Sequence, residues 1–191
     1  AAADAGGSEP CLWYGLAECL ARLARLQEDA ARRSEMLEQA RGALQNYTKC
    51  EPDKPAAGYY AGNLFRDMAE LEPSREKKRA LLVAACHNYH AAAAWEGDWL
   101  GVHIDHGHVL RTLSSLEEDP DKKRSFLQEA CDQYREASTR ETSSACIGYN
   151  WGLALFEKGQ LTEEAGERRA LLEDACAKLQ EAARWEDALN W

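Results

Sequence analysis

The chain has 191 residues and a mass of 21.3 kDa, with 45% hydrophobic and 29% charged residues and a formal net charge of −10 at pH 7. That charge and a pI near 5.0 set nucleic acid and anionic lipid aside as partners, because their phosphates repel an acidic surface. The composition is that of a helical protein rather than a disordered one, and charges break every apolar window well short of the ~18 to 20 consecutive residues that a membrane span needs.

Residues 1–10 are small and Gly-rich, without the basic start and apolar core of a signal peptide, and they read as a flexible linker or boundary segment. From residue 11 a fixed step governs the chain. Ala17, Gly62, Gly107 and Gly152 form one series, Leu26, Leu71, Leu116 and Leu161 a second, and Leu37, Leu82, Leu127 and Leu172 a third. Ala40, Ala85, Ala130 and Ala175 form a fourth, and the step is 62 − 17 = 45 throughout. A strict period of this size marks a stacked repeat protein, in which each unit buries its apolar face against its neighbours. The units are 11–55, 56–100, 101–145 and 146–190.

Each unit contains two helical patterns. In the second unit Tyr59, Gly62, Phe65, Met68 and Leu71 recur along one helix face, and Ala80, Leu81, Leu82, Ala85, Tyr89 and Ala92 form the stripe of the next. Breakers and acids separate the two patterns: Gln27-Glu28-Asp29, Glu72-Pro73-Ser74, Glu117-Glu118-Asp119-Pro120 and Thr162-Glu163-Glu164, with Ser74 and Asp119 placed to cap the following helix. Between units stand Glu51-Pro52-Asp53-Lys54-Pro55, Glu96-Gly97-Asp98 and Ser138-Thr139-Arg140-Glu141-Thr142. Helices joined by such short links run antiparallel and stack. The expectation is an all-α fold, an α-solenoid of four antiparallel helix hairpins. Leu26, Leu71, Leu116 and Leu161 predict packing at the end of every first helix. Trp185 and Trp191 in the last helix predict an apolar face left for self-association or for continuation of the stack.

Trp13, Leu16, Ala17 and Leu20 in a first helix, with Ala85, Tyr89, Ala92 and Ala130, Tyr134, Ala137 in second helices, resemble the tetratricopeptide repeat across all four units. The family's unit is about 34 residues, so this one carries roughly eleven more, about three turns to share between its two helices. Armadillo and HEAT stacks have a similar period, but Gly62, Gly107 and Gly152 permit a close helix approach that favours the tetratricopeptide resemblance. That resemblance implies that first helices line a concave face where a partner peptide lies. Carried over unit by unit, the inward residues are Tyr14, Glu18 and Ala21; Tyr59, Asn63 and Arg66; Ile104, His108 and Arg111; and Tyr149, Leu153 and Phe156. The tyrosines supply rigid amphipathic contact area, and Asn63, Arg66, His108 and Arg111 supply hydrogen bonds for a backbone or an acidic side chain, predicting a locally cationic groove.

The remaining chemistry is sparse. His87, His90, His103, His106 and His108 fall in one 22-residue window (108 − 87 + 1 = 22) beside Glu96, Asp98 and Asp105, and imidazoles three apart can share a helix face as metal ligands. Repeat register instead sets His103 and His106 between helices and His87 and His90 toward solvent, so no metal or cofactor is expected. No nucleophile elbow, P-loop or dinucleotide fingerprint occurs, and no enzymatic activity is expected. Seven cysteines (11, 19, 50, 86, 131, 146 and 176) include no C-x-x-C pair. Cys86, Cys131 and Cys176 stand one period apart, on helices that pack ~8 to 10 Å apart, too far for a disulfide, whose Cα atoms lie within ~7 Å. They read as small buried thiols of a protein from the reducing cytoplasm. The leading expectation is an interaction scaffold that holds a protein or peptide segment, with acidic side chains among its contacts. A structural spacer or self-associating module and a His-cluster metal sensor are the alternatives.

Overall fold

A computed structural model of the chain describes residues 9–51, 55–94, 100–141 and 144–189, and these divide between two compact units, Ala1–Trp95 and Glu96–Trp191. The first unit contains α1 (Glu9–Leu26), α2 (Ala30–Cys50), α3 (Pro55–Leu71) and α4 (Arg75–Ala93). The second contains α5 (Leu100–Leu116), α6 (Pro120–Arg140), α7 (Ala145–Gln160) and α8 (Ala165–Leu189). No strand occurs among the described residues. In each unit the helices pair as hairpins, α1 with α2, α3 with α4, α5 with α6 and α7 with α8, and the second helix of one hairpin packs on the first helix of the next. The protein is all-α, and each unit is two stacked helical hairpins of the kind the 45-residue step predicts.

The hairpin turns recur in register because the caps do. Asp29 accepts from the Arg32 N–H at 2.8 Å, Ser74 from Lys77 at 3.4 Å and Asp119 from Asp121 and Lys122 at 2.9 and 3.3 Å. Forty-five residues beyond Asp119, the Glu164 carboxylate takes the N–H groups of Gly166 and Glu167, and these bonds hold its carboxyl below the usual range. Each cap satisfies donors that the first turn of a helix cannot pair internally. Pro120 opens α6, where its missing N–H costs nothing.

Isolated helices of this length are marginal in water, so burial holds the hairpins together. Leu37, Ala40, Ala43, Leu44 and Tyr47 of α2 pack with Ala17 and Ala24 of α1 and with Ala57 and Leu64 of α3. In the second unit Val102, Val109, Leu110 and Leu113 of α5 and Leu127, Ala130, Cys131, Tyr134 and Ala137 of α6 are buried. Each fully buried large apolar side chain contributes about 1.5–3 kcal/mol. The glycine series sets the hairpin spacing. A Cβ on Gly62 would stand 2.5 Å from the Tyr89 ring, on Gly107 2.7 Å from the Tyr134 ring, and on Gly152 2.7 Å from Leu179. The second helix of these hairpins thus presses a large side chain onto bare backbone of the first.

Several expectations need correction. Glu9 and Pro10 belong to α1 rather than to a linker, and residues 1–8 lie outside the described residues, as do Pro52-Asp53-Lys54, Glu96-Gly97-Asp98, Thr142 and Trp191. Ser138, Thr139 and Arg140 are the last turn of α6, where both hydroxyls donate back to carbonyls three residues earlier. Leu71, Leu116 and Leu161 are partly buried, but Leu26 is 81% exposed, because the described residues place no helix against that side of α1. The cysteines are not uniformly buried: Cys131 is, Cys86 is half-buried, and Cys19, Cys50, Cys146 and Cys176 are exposed. No helix among the described residues is long and apolar enough to cross a membrane.

Candidate functional site

The first unit carries a hollow of about 270 Å³ between α1 and α3, floored by Ala17, Ala21, Leu44 and Leu64 and walled by Tyr14, Tyr59, Tyr60 and Asn63. Glu18, Arg22 and Arg25 complete its rim. Helical spacing explains the convergence: Tyr14, Glu18, Ala21 and Arg25 follow one another at three- and four-residue steps on one side of α1, as Tyr59 and Asn63 do on α3. Alanine at positions 17 and 21 leaves the space that larger residues would fill.

Five tyrosines form a continuous run around this hollow. Ring centroids lie 5.6 Å apart for Tyr47 and Tyr14, 4.8 Å for Tyr14 and Tyr60, 5.4 Å for Tyr60 and Tyr59, and 6.2 Å for Tyr59 and Tyr89. The tilted and edge-on arrangements are those that aromatic quadrupoles favour. Tyr89 donates its hydroxyl proton to Asn63 Oδ1 at 2.9 Å and so fixes that amide beside the hollow. Burial, with the hydroxyl of Tyr60 and the carboxylate of Glu18 nearby, pushes the Tyr14 phenol far above its usual range, so it remains a neutral hydrogen-bonding group. Arg22 pairs with Glu18 on the rim. Arg25 Nε donates to Asp67 Oδ2 at 2.8 Å, clamping α1 to α3 through a carboxylate that is almost completely buried.

Tyr14, Glu18, Tyr59 and Asn63 therefore meet at one hollow. Arg66 is not among its lining residues; it is largely buried, and its guanidinium lies 3.4 Å from Asp67 Oδ1. In the second unit Arg111 reaches from α5 to α7, donating to Glu157 Oε1 and to Asn150 Oδ1, each at 3.2 Å. Ile104 is half-buried, His108 is exposed, and Tyr149, Leu153 and Phe156 follow one face of α7 with both aromatics exposed. The expected cationic character is thus offset locally, because Arg66 and Arg111 both stand against carboxylates. Sequence reasoning missed Tyr60 and the Arg25–Asp67 clamp. Tyr60 aligns with Gly15, Asp105 and Asn150, so the register shows no common residue type there.

Among the described residues, no group of three or more His, Cys, Asp or Glu side chains converges in a way that could hold a metal ion. His103 and His106 are buried in α5, with His103 Nδ1 2.9 Å from Gln133 Oε1, while His87 and His90 are exposed on α4. Comparison with protein-family models and with curated protein sequences gives no match for this chain.

Proposed function

We propose that the chain is a non-enzymatic, tetratricopeptide-like interaction module of a reducing compartment, and that its first unit holds a segment of a partner protein by seating one apolar or aromatic side chain between α1 and α3. The observation that carries this reading is the α1–α3 hollow itself. At about 270 Å³ it is below the ~300–1,000 Å³ of small-molecule pockets and fits a single side chain. Its alanine and leucine floor suits an apolar anchor, while Asn63, Glu18 and the tyrosine hydroxyls suit the peptide groups flanking it. Exposed free thiols at Cys19, Cys50, Cys146 and Cys176 are compatible with such a compartment.

The test is selection of peptides from a random displayed library against the 191-residue protein, followed by measurement of the selected peptides on Ala21→Arg. Peptides with a shared aromatic or aliphatic anchor, weakened at least tenfold by Ala21→Arg with helical content unchanged, are expected. Anchor-free peptides, or affinities indifferent to that substitution, overturn the assignment of the hollow.

A further inference from the structure

Within each unit, the second helix of one hairpin covers a defined face of the next first helix, and α6 on α7 shows how. Arg124 of α6 donates to the Leu161 carbonyl at 3.1 Å, Lys158 of α7 donates to Gln128 at 2.6 Å, and Arg135 stands 6.0 Å from the Trp151 ring centre. Those contacts reach Trp151, Lys158 and Leu161, and Ile147 and Ala154 are buried on the same stripe of α7. Three periods earlier the same positions on α1 are Leu12, Leu16, Cys19, Leu23 and Leu26, spaced 4, 3, 4 and 3 along a single stripe. Here the leucines are 68, 45, 52 and 81% exposed. Their counterparts on α3 are Ala57, Ala61, Leu64, Met68 and Leu71, and all five pack into the core that α2 shares with α3. Among the described residues, α1 thus presents the face of a first helix without the second helix that belongs on it.

The complementary half stands on α8. One period beyond Arg124, Gln128, Cys131 and Arg135 come Arg169, Glu173, Cys176 and Gln180, which line an open hollow on that helix. Cys131 is 2% exposed beneath α7, whereas Cys176 is exposed. We infer that the α1 stripe of one copy receives the α8 face of a second copy, repeating between molecules the contact that α6 makes with α7 inside one. In that register Arg169 faces the Leu26 carbonyl as Arg124 faces that of Leu161. Glu173 replaces Gln128 and faces Leu23 where α7 has Lys158, and its charge is balanced within α8 by Arg169, whose Nε lies 2.8 Å from Glu173 Oε1. At 100° per residue the stripe lies on the far side of α1 from Tyr14 and Glu18, so this inference stands or falls independently of peptide binding. The contact is heterologous: a pair leaves an α1 face unused on one copy and an α8 face unused on the other, so association continues beyond a pair.

Sedimentation of the full chain under reducing conditions tests this. Average mass is expected to rise with concentration beyond that of a dimer. Leu16→Glu with Leu23→Glu, and separately Cys176→Arg, should each give a monomer of unchanged helical content, and an equal mixture of the two should give a one-to-one pair that grows no further. If the leucine pair misfolds, Leu12→Lys with Leu26→Lys takes its place. Wild-type protein that is monomeric at all concentrations overturns the inference and leaves these faces to a different chain. A Cys176→Arg variant that still dimerises overturns it in favour of α1 pairing with α1, and a mixture that remains monomeric overturns it as well.

Discussion

The two units use the same residue positions to opposite ends. In the first, Ala21 leaves the α1–α3 junction open, and the acid on α3, Asp67, is met one turn later by Arg25. In the second, Arg111 occupies the register of Ala21 (21 + 90 = 111), and its guanidinium meets Glu157, which is the counterpart of Asp67 (67 + 90 = 157). Together with Ile104 in the register of Tyr14 and Asn150 in that of Tyr60, Arg111 puts a charged cross-link from α5 to α7 where the first unit has an apolar hollow ringed by tyrosines. A repeat fold keeps its stacking residues in step while the residues facing away from the stack diverge. The shared device and the divergent one can be broken separately.

The largest effect is expected from the shared device. Gly62→Ala and Gly107→Ala each push a methyl group into a fully buried tyrosine ring and should cost about 1–3 kcal/mol, the usual range for overpacking. Gly152→Ala should cost less, because it meets the half-buried, rotatable Leu179. The first hairpin already holds the alternative pairing, with Ala17 in the glycine register and Leu44 in the tyrosine register. Combining Gly62→Ala with Tyr89→Leu should therefore recover part of the loss in a double-mutant cycle. Urea unfolding of the four variants measures this, and strict additivity of the two changes would show that glycine and tyrosine are not coupled.

A smaller effect separates the two arginine clamps. Arg25→Ala leaves Asp67 buried, with Arg66 at 3.4 Å from its other oxygen, and should cost about 1–3 kcal/mol for a desolvated carboxylate deprived of its better partner. Arg111→Ala leaves Glu157 39% exposed and able to turn to water, and should cost about 1 kcal/mol or less. Equal losses, read by the same urea titration, would mean that burial of the acid does not distinguish the units.

Much of this architecture was legible in the sequence because stacking constrains residue size. Gly62, Gly107 and Gly152 each face a large side chain, and Asp29, Ser74, Asp119 and Glu164 each stand at a helix start, so helix order and hairpin turns followed from the step of 45. The grouping of Tyr14, Glu18, Tyr59 and Asn63 on one surface rests on what the tetratricopeptide resemblance implies for first helices, since periodicity within one helix does not say which faces of two helices adjoin. The charge balance of that surface was not legible. Whether Arg66 or Arg111 is available to a ligand depends on acids at Asp67 and Glu157, whose approach is set by how neighbouring helices pack rather than by sequence spacing. Exposure of Leu26 and Cys176 was hidden for the opposite reason. The repeat assigns them the same positions as buried residues, and periodicity carries no information about whether a covering helix is present.

The smallest effect concerns a difference in ionisation between the units. Burial pushes the Cys131 thiol from its ordinary 9.0 up to about 11, opposed by Lys158 and Arg135 and reinforced by Asp132 and Glu157. The folded state therefore holds this proton more tightly than the unfolded chain does. Stability from this group is complete below pH 9 and declines as pH climbs toward 11, by about 1 kcal/mol between pH 9 and 10. The phenols of Tyr14 in the first unit and Tyr134 in the second are also raised by burial, but they titrate from an ordinary value of 10.0, so their contributions come mainly at higher pH and in both units. Urea titrations at pH 9 and 10 should show a loss in wild-type protein that is larger by about 1 kcal/mol than the loss in Cys131→Ala, where only the onset of phenol ionisation remains. Parallel losses in both would place the alkaline sensitivity elsewhere and remove Cys131 from the contrast between the units.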